Sequence, residues 1–239
     1  MKGTMERFVI GGRGCSIYIP PEYQSGGRYP VVYLNGTDEL PEIIAALEPS
    51  IGIDCTPFLL LNVDTVNWND DMTPWPASSV FKKSGAFSGG ADAYLDTLTH
   101  VIKPYVDAHY NTEPAAENTA LIGYSLGGLT ALYALYTKEA FGKIGCLSGS
   151  LWYENWLGFL ESHQPLKPEA KVFISLGRKE QQSKNERMAA VGKCTEKAAE
   201  IIGAQLNDVS RFKFEWNDGG HFTEIPLRFC RSLLWLMRT

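Results

Sequence analysis

Short apolar runs recur along the chain, and most are bounded by glycine, proline or asparagine. Runs of this kind are typical of strands that are buried on both faces of a sheet. The predicted strands are 6–10, 15–19, 29–34, 57–63, 120–124, 143–148, 170–176 and 211–216. Because Gly11-Gly12-Arg13-Gly14 separates the first two strands, we expect them to form a hairpin.

Apolar residues at helical spacing fill most of the intervals between the later strands. The predicted helices are 40–47, 91–109, 125–137, 151–160, 185–202 and 223–237. Pro104 lies inside the second of these helices and should kink or break it. Alternating strands and helices predict an α/β fold with a mostly parallel sheet and helices on both faces. Since no repeat, linker or shift in composition divides the chain, we expect a single α/β domain over 1–239.

The segment 64–90 has no regular pattern of apolar and polar residues. Loops of this length in a compact domain are usually functional or disordered. The segment contains Trp68, Trp75, Phe81 and Phe87, and aromatic residues argue against disorder. We expect the segment to form a wall of a binding pocket; the alternative is a surface loop held in place by its aromatic side chains.

Composition and charge exclude several classes of function. The net charge is −5 and no basic tract occurs, which argues against nucleic acid as a partner. No run of apolar residues is long enough to span a membrane, and the N-terminus lacks the apolar core of a signal peptide. The five cysteines never form a C-x-x-C motif, which fits reduced thiols and argues against a zinc site. We therefore expect a cytoplasmic protein without metal or cofactor, and the sequence leaves a homo-oligomer open.

The strongest chemical signal is Gly123-Tyr124-Ser125-Leu126-Gly127, which joins a predicted strand to a predicted helix. In that context a G-x-S-x-G motif indicates a nucleophile elbow, a sharp turn that exposes the serine hydroxyl. The flanking glycines remove side chains that would clash in such a turn. We therefore predict that Ser125 is a nucleophile; the alternative is an ordinary glycine-rich turn.

A serine nucleophile needs a base within hydrogen-bond reach and an acid that orients the base. Of the four histidines, only His221 follows a predicted strand, in the loop Asn217-Asp218-Gly219-Gly220, so we predict that it is the base. In the order Ser…Asp/Glu…His the acid follows the preceding strand, and Glu180 is our choice there. Glu186 and Asp218 remain alternatives for the acid.

Two N–H donors should hold the oxyanion of the tetrahedral intermediate. The residue after the nucleophile supplies one of them, which is Leu126. The other should come from the loop after the strand 29–34. We favour the N–H of Thr37 there, with Gly36 as the alternative.

Together these residues resemble the putative-esterase family of α/β-hydrolases, from about residue 14 to the end of the chain. The family includes esterase D, feruloyl and acetyl esterases, trilactone-siderophore esterases and mycolyltransferases. The resemblance rests on five stretches: Val32-Tyr33-Leu34-Asn35-Gly36, Thr73-Pro74-Trp75-Pro76, Gly123-Tyr124-Ser125-Leu126-Gly127-Gly128, Ser148-Gly149-Ser150-Leu151-Trp152 and Gly219-Gly220-His221. It implies serine-dependent ester hydrolysis through Ser125, His221 and an acid.

Two of these stretches, around Trp75 and Trp152, look most like the siderophore-esterase branch, as does the lack of a large cap insertion. After the strand that corresponds to 29–34, members of the family often carry His-Gly or Asp-Gly. This chain departs from them, since it has Asn35-Gly36 at that place. The position of the acid also varies within the branch. An anionic ferric catecholate would need a basic cluster, for which the candidates are Lys82, Lys83, Arg178 and Lys179.

We therefore predict a serine carboxylic-ester hydrolase that forms an acyl-enzyme from a small or aromatic ester. Trp75 and Trp152 are the candidate substrate contacts, and core packing is the alternative for each. An acyltransferase or a thioesterase could use the same triad. A trilactone siderophore esterase and a non-catalytic binding module are the remaining alternatives.

Overall fold

The structure is a computed structural model that describes residues 1–24, 26–80 and 85–238. Within these residues, eight strands form a single sheet. The strands are β1 (Thr4–Ile10), β2 (Arg13–Ile19), β3 (Val31–Asn35), β4 (Leu59–Val63), β5 (Thr119–Tyr124), β6 (Lys143–Leu147), β7 (Lys171–Gly177) and β8 (Phe212–Asn217). Their order across the sheet is β1-β2-β4-β3-β5-β6-β7-β8. The strands β3 to β8 are parallel to one another, whereas β1 and β2 form an antiparallel hairpin at one edge.

Helices cover both faces of this sheet. They are α1 (Leu40–Leu47), α2 (Trp68–Asp71), α3 (Ala91–Thr97), α4 (Lys103–His109), α5 (Leu126–Thr137), α6 (Trp156–Ser162), α7 (Glu186–Ala189), α8 (Val191–Gln205) and α9 (Ile225–Leu236). The apolar faces of α1 and α9 pack on Leu34 and Ile122 on one side of the sheet. Neighbouring positions on the same strands, such as Tyr33 and Leu121, point to the other side and pack against α3, α5, α6 and α8. The predicted α/β fold, with a mostly parallel sheet between two layers of helices, is confirmed.

Two predicted helices have different boundaries in the structure. The helix predicted at 151–160 begins only at Trp156, because residues 151–155 form turns and Asn155 has a left-handed backbone with φ 59°. The helix predicted at 185–202 is divided at Ala190, between α7 and α8, and then continues to Gln205. Boundaries of this kind depend on tertiary contacts more than on helical periodicity.

The predicted interruption at Pro104 takes a milder form. A π-helical turn, Leu98–Ile102, joins α3 to α4, and the N–H of Lys103 bonds to the carbonyl of Leu98. Proline cannot donate a backbone hydrogen bond and clashes with the preceding helical turn. The wider turn just before Pro104 absorbs this conflict, so the helical path continues through the proline.

A partly buried ion pair anchors the first part of the segment 64–90. It contains α2, and Ala77 pairs with Phe87 in an isolated antiparallel bridge. The guanidinium of Arg13 binds Asp71 through two N–O contacts of 2.8 Å, and Asp71 also accepts the N–H of Val66. The segment is therefore tied to the first hairpin of the sheet. Phe81, Lys82 and Lys83 lie outside the described residues.

No helix within the described ranges is long and apolar enough to cross a membrane.

Gly123 lies close to the backbone of the turn that follows it, and a substitution tests whether this contact requires glycine. A Cβ atom at position 123 would lie 2.1 Å from the carbonyl oxygen of Gly127. We expect Gly123→Ala to destabilise the fold by about 3 kcal/mol, because backbone atoms must separate to accept the methyl group. Urea unfolding followed by tryptophan fluorescence measures this change. Gly85→Ala is the control, since among the described residues no atom outside its chain neighbours lies within 4 Å of its Cβ position; equal unfolding midpoints for the two variants would contradict the argument.

Candidate active site

The turn between β5 and α5 holds Ser125 in a strained conformation. Its backbone angles are φ 57° and ψ −121°, which residues with side chains rarely adopt. A Cβ at position 127 would lie 2.9 Å from the carbonyl oxygen of Asn35, and one at position 128 would lie 3.0 Å from that of Gly123. The glycines of the motif are therefore required by close contacts, and the turn has the geometry of a nucleophile elbow.

The carboxyl ends of the parallel strands bring Ser125, Glu180 and His221 to one cavity. Ser125 follows β5, Glu180 follows β7 and His221 follows β8. The Nδ1 atom of His221 lies 2.7 Å from Oε2 of Glu180. The alternative acids make no such contact: among the described residues no hydrogen bond joins the ring to the side chain of Glu186 or Asp218, and both residues are exposed.

The carboxylate of Glu180 is almost completely buried, and its side chain is only 5% exposed. Its Oε1 atom accepts three hydrogen bonds, from Ser148 Oγ at 2.7 Å, from the N–H of Gly177 at 2.8 Å and from Arg228 Nη1 at 3.0 Å. Burial by itself would raise the pKa of Glu180, but the hydrogen bond and charge of His221, with the donors from Ser148 and Gly177, lower it below its ordinary value. Glu180 is therefore an ionised carboxylate that accepts a hydrogen bond from the Nδ1–H group of the imidazole.

Arg228 in α9 joins the acid to the loop that carries His221. Its side chain is 1% exposed. Besides Glu180, its Nη1 atom donates to Ser148 Oγ at 2.5 Å, and its Nη2 atom donates to the carbonyl oxygens of Gly220 at 2.8 Å and Asp218 at 3.2 Å. One buried guanidinium thus fixes the acid and the backbone just before the histidine. Sequence reasoning missed this residue, although an arginine among the apolar positions of a closing helix is a usable signal.

Tyr124 supports the same loop from the strand β5. Its hydroxyl donates to the carbonyl oxygen of His221 at 2.5 Å and accepts from Arg228 Nη1 at 3.0 Å. Burial raises the pKa of Tyr124 to about 12, so the phenol keeps the proton that it donates. The position of His221 is therefore held through its backbone as well as through its ring.

The hydroxyl of Ser125 has one hydrogen-bond partner among the described residues, and that partner is Ser150. The two Oγ atoms lie 3.3 Å apart. Ser150 is 3% exposed, and its N–H donates to the carbonyl oxygen of Ser125 at 3.0 Å. Ser148 and Ser150 belong to a stretch that carried the family resemblance, but the sequence assigned no role to either residue.

The oxyanion donors that the sequence predicts differ in availability. The N–H of Leu126 belongs to the first turn of α5, where backbone N–H groups have no partner inside the helix. The N–H of Thr37, by contrast, donates to Oδ1 of Asn62 at 2.9 Å, and that of Gly36 donates to the carbonyl of Leu34 at 3.1 Å. The structure therefore does not support Thr37 or Gly36 as the second donor, because each N–H already has an acceptor.

A cavity of about 510 Å³ opens beside Ser125. Its apolar wall includes Phe87 from the segment 64–90 and Trp152, and Lys179 also lines it. The predicted substrate contact Trp152 is therefore at the cavity. The guanidinium of Arg187 lies over the Trp152 ring, 5.4 Å from its centre, in a cation–π contact.

The other predicted contact, Trp75, does not line this cavity. Its ring packs among Tyr133, Tyr153, Trp156 and Phe159, with centroid distances of 5.4 to 6.3 Å. Its indole N–H donates to the carbonyl of Glu154 at 2.9 Å. Trp75 is therefore a packing residue, because α5, α6 and the turn between β6 and α6 each place aromatic side chains against it.

A second cavity of about 850 Å³ is also lined by Ser125 and His221. Asp38, Glu39 and Asp64 contribute carboxylates to its wall, and no lysine or arginine of the described residues lines it. The two cavities thus differ in character: the first is mainly apolar and aromatic, and the second is acidic.

The chain is similar to known proteins over most of its length. Residues 11–223 match the model of a family described as putative esterase. Uncharacterized protein YbbA of Bacillus subtilis is 34% identical over 189 residues, which is 77% of this chain and 75% of that protein. A siderophore enterobactin esterase of Emericella nidulans is 35% identical over 88 residues, which is 36% of this chain and 26% of that protein.

Among solved structures, an IroE-like serine hydrolase from Shewanella oneidensis has the same fold. The TM-score is 0.80 at 19% identity, and the match covers 98% of this chain and 80% of that one.

The role of the buried guanidinium can be tested against an exposed arginine of the same helix. We expect Arg228→Met to lower the free energy of unfolding by about 3 kcal/mol or more, because it leaves buried acceptors and a carboxylate without their donor. Urea unfolding at neutral pH measures the change. Arg231→Met is the control and should cost less than about 1 kcal/mol, since the Arg231 side chain is 47% exposed. Similar losses in both variants would refute a special role for Arg228.

Proposed function

The chain belongs to the putative esterase family and is a carboxylic ester hydrolase, and we propose that it acts through an acyl-enzyme on Ser125. In this proposal His221 is the general base and Glu180 orients it. One observation carries the proposal: a serine in a strained elbow shares a cavity with a histidine whose Nδ1 atom lies 2.7 Å from a buried carboxylate.

The hydrogen bond to Glu180 decides which ring nitrogen acts as the base. Because the lowered pKa of Glu180 keeps the carboxylate ionised, Nδ1 of His221 carries the proton that it donates. The Nε2 atom is then free to accept a proton. In acylation, Ser125 Oγ attacks the ester carbonyl carbon, Nε2 takes the serine proton, and the same proton passes to the leaving alcohol.

In deacylation, water attacks the acyl carbon and gives its proton to His221. The bond between the carbonyl carbon and Ser125 Oγ breaks, and the imidazolium returns a proton to that oxygen. The N–H of Leu126 holds the oxyanion in both steps. It lies at the N-terminus of α5, where the helix dipole also favours negative charge.

The first cavity supports a small or aromatic ester as substrate. Its volume of about 510 Å³ suits a small molecule, and Phe87 and Trp152 offer ring faces to an aryl or apolar group. The ester bond would then lie at the boundary between this cavity and the acidic one.

A trilactone siderophore is the second candidate substrate. It is favoured by the similarity of part of the chain to a siderophore enterobactin esterase. Lys179 at the first cavity would favour an anionic substrate, whereas the carboxylates of Asp38, Glu39 and Asp64 at the second would oppose it. Turnover of a linear and a cyclic catecholate trilactone, compared with that of aryl esters, separates the two candidates.

Labelling with a fluorophosphonate tests whether Ser125 is activated. We expect intact mass to show one adduct on the wild type and none on Ser125→Ala, because only a serine beside a base reacts readily. A folded wild-type protein that stays unlabelled and hydrolyses no p-nitrophenyl ester would rule out the proposed mechanism.

The same panel of esters assigns the three roles. Ser125→Ala and His221→Ala should each lower kcat by several orders of magnitude, up to about 10⁶-fold. Glu180→Gln should cost less, because the base remains in place but loses its orienting partner. Glu186→Gln and Asp218→Asn serve as controls with near wild-type kcat. A large loss of kcat in one of these controls, with kcat of Glu180→Gln unaffected, would show that the residue changed in that control is the acid.

The two tryptophans should respond differently to truncation. We expect Trp152→Ala to raise KM for aryl esters about tenfold, because it removes an aromatic wall of the cavity. Trp75→Ala should leave KM near the wild-type value but lower the free energy of unfolding by about 3 kcal/mol. Steady-state kinetics and urea unfolding of both variants check this. A rise in KM in Trp75→Ala without loss of stability would contradict the assignment.

A further inference from the structure

The hydroxyl of Ser150 is buried beside the proposed nucleophile and has no other partner among the described residues. It lies 3.3 Å from Ser125 Oγ and lines the same cavity. A buried hydroxyl normally finds a partner in the protein core, and an unused one is costly. Here the available partner is the oxygen on which the proposed chemistry takes place.

The backbone keeps Ser150 in this position. Its N–H donates to the carbonyl of Ser125 at 3.0 Å, and its carbonyl accepts the N–H of Tyr153 at 3.0 Å. The preceding Ser148 has a positive φ of 45°, and its N–H donates to the carbonyl of Ser175 at 2.8 Å. The turn after β6 is therefore anchored to both neighbouring strands, and the hydroxyl is preorganised against the elbow.

We propose that Ser150 is a further catalytic residue that donates a hydrogen bond to Ser125 Oγ while this oxygen leaves the acyl-enzyme. The inference rests on the proposed function, since it assumes that Ser125 carries the acyl group. The hydroxyl of Ser125 must point to His221 to release its proton, so Ser150 is the donor of the pair.

The strength of this hydrogen bond changes along the reaction. In the acyl-enzyme, Ser125 Oγ is the ester oxygen and a weak acceptor. As the tetrahedral intermediate of deacylation collapses, the bond from carbon to Oγ breaks and its electron pair stays on Oγ, until His221 returns the proton. The developing negative charge strengthens the bond from Ser150, so the interaction favours the transition state over the acyl-enzyme.

Acylation gains less from the same contact. Attack of Ser125 Oγ on the ester is the reverse of the collapse step at this oxygen, so the donor stabilises the partial charge on Oγ in both transition states. The ground states differ: before acylation Oγ is an alcohol oxygen, which accepts a hydrogen bond better than the ester oxygen of the acyl-enzyme. A donor at Oγ therefore lowers the barrier of deacylation more than that of acylation. This asymmetry distinguishes a catalytic role from a role in packing, which would affect both steps equally.

The test is the steady-state kinetics of Ser150→Ala with p-nitrophenyl acetate, whose good leaving group makes deacylation rate-limiting. We expect kcat to fall about tenfold, the size of one net hydrogen bond. KM should fall as well, because kcat/KM, which reports acylation, should fall less than kcat. Intact mass after rapid acid quench should show more acetyl-enzyme than in the wild type.

Two further variants exclude a trivial effect of removing a buried hydroxyl. Ser232→Ala removes a buried hydroxyl from α9, which has no partner among the described residues. The kinetics of this variant should match those of the wild type. Ser150→Cys keeps the shape of the side chain with a weaker donor and should fall between wild type and Ser150→Ala. It also provides a folded protein if the alanine variant is unstable.

An equal loss in kcat and kcat/KM, or an unchanged kcat, would overturn the role of Ser150. Neither result would affect the proposed function, which is tested by fluorophosphonate labelling of the wild-type protein and by its turnover of the same ester. Failure of that labelling and turnover would remove the basis of both proposals. A failure of the Ser150 role alone is therefore distinguishable from a failure of the proposed function.

Discussion

The arrangement of the candidate site depends on the buried contact between Glu180 and Arg228. A carboxylate that is 5% exposed would normally become neutral, because burial penalises the charged form. Here hydrogen bonds from a guanidinium, a hydroxyl, a backbone N–H and an imidazole satisfy both of its oxygens. The charge is thus retained where it can orient His221, and no water is needed at the acid.

The same guanidinium also couples elements that are far apart in the sequence. It binds the loop after β7, the loop after β8 and the turn after β6 from its place in α9. The loops also contact one another directly, since Glu180 accepts from Ser148 Oγ and lies 2.7 Å from Nδ1 of His221. Because Arg228 contacts all three loops, its removal should affect the acid and the histidine together.

The surroundings of the site follow from the fold. Parallel strands end at one edge of the sheet, so every loop at that edge contributes to the same cleft. Ser125 lines both an aromatic cavity with Phe87 and Trp152 and an acidic cavity with Asp38 and Asp64. The polarity of a substrate on the two sides of its ester bond therefore matters for how it is held.

The sequence by itself determined the alternation of strands and helices, the elbow at Ser125 and the loops from which its partners come. These features are local: apolar periodicity, glycines around a turn and residues that directly follow a strand. Only the tertiary structure decided that Thr37 donates to Asn62, that Trp75 packs among aromatic rings while Trp152 lines the cavity, and that Arg228 reaches an acid 48 positions away. Such facts depend on distances between side chains that are remote in the chain, and periodicity carries no information about those distances.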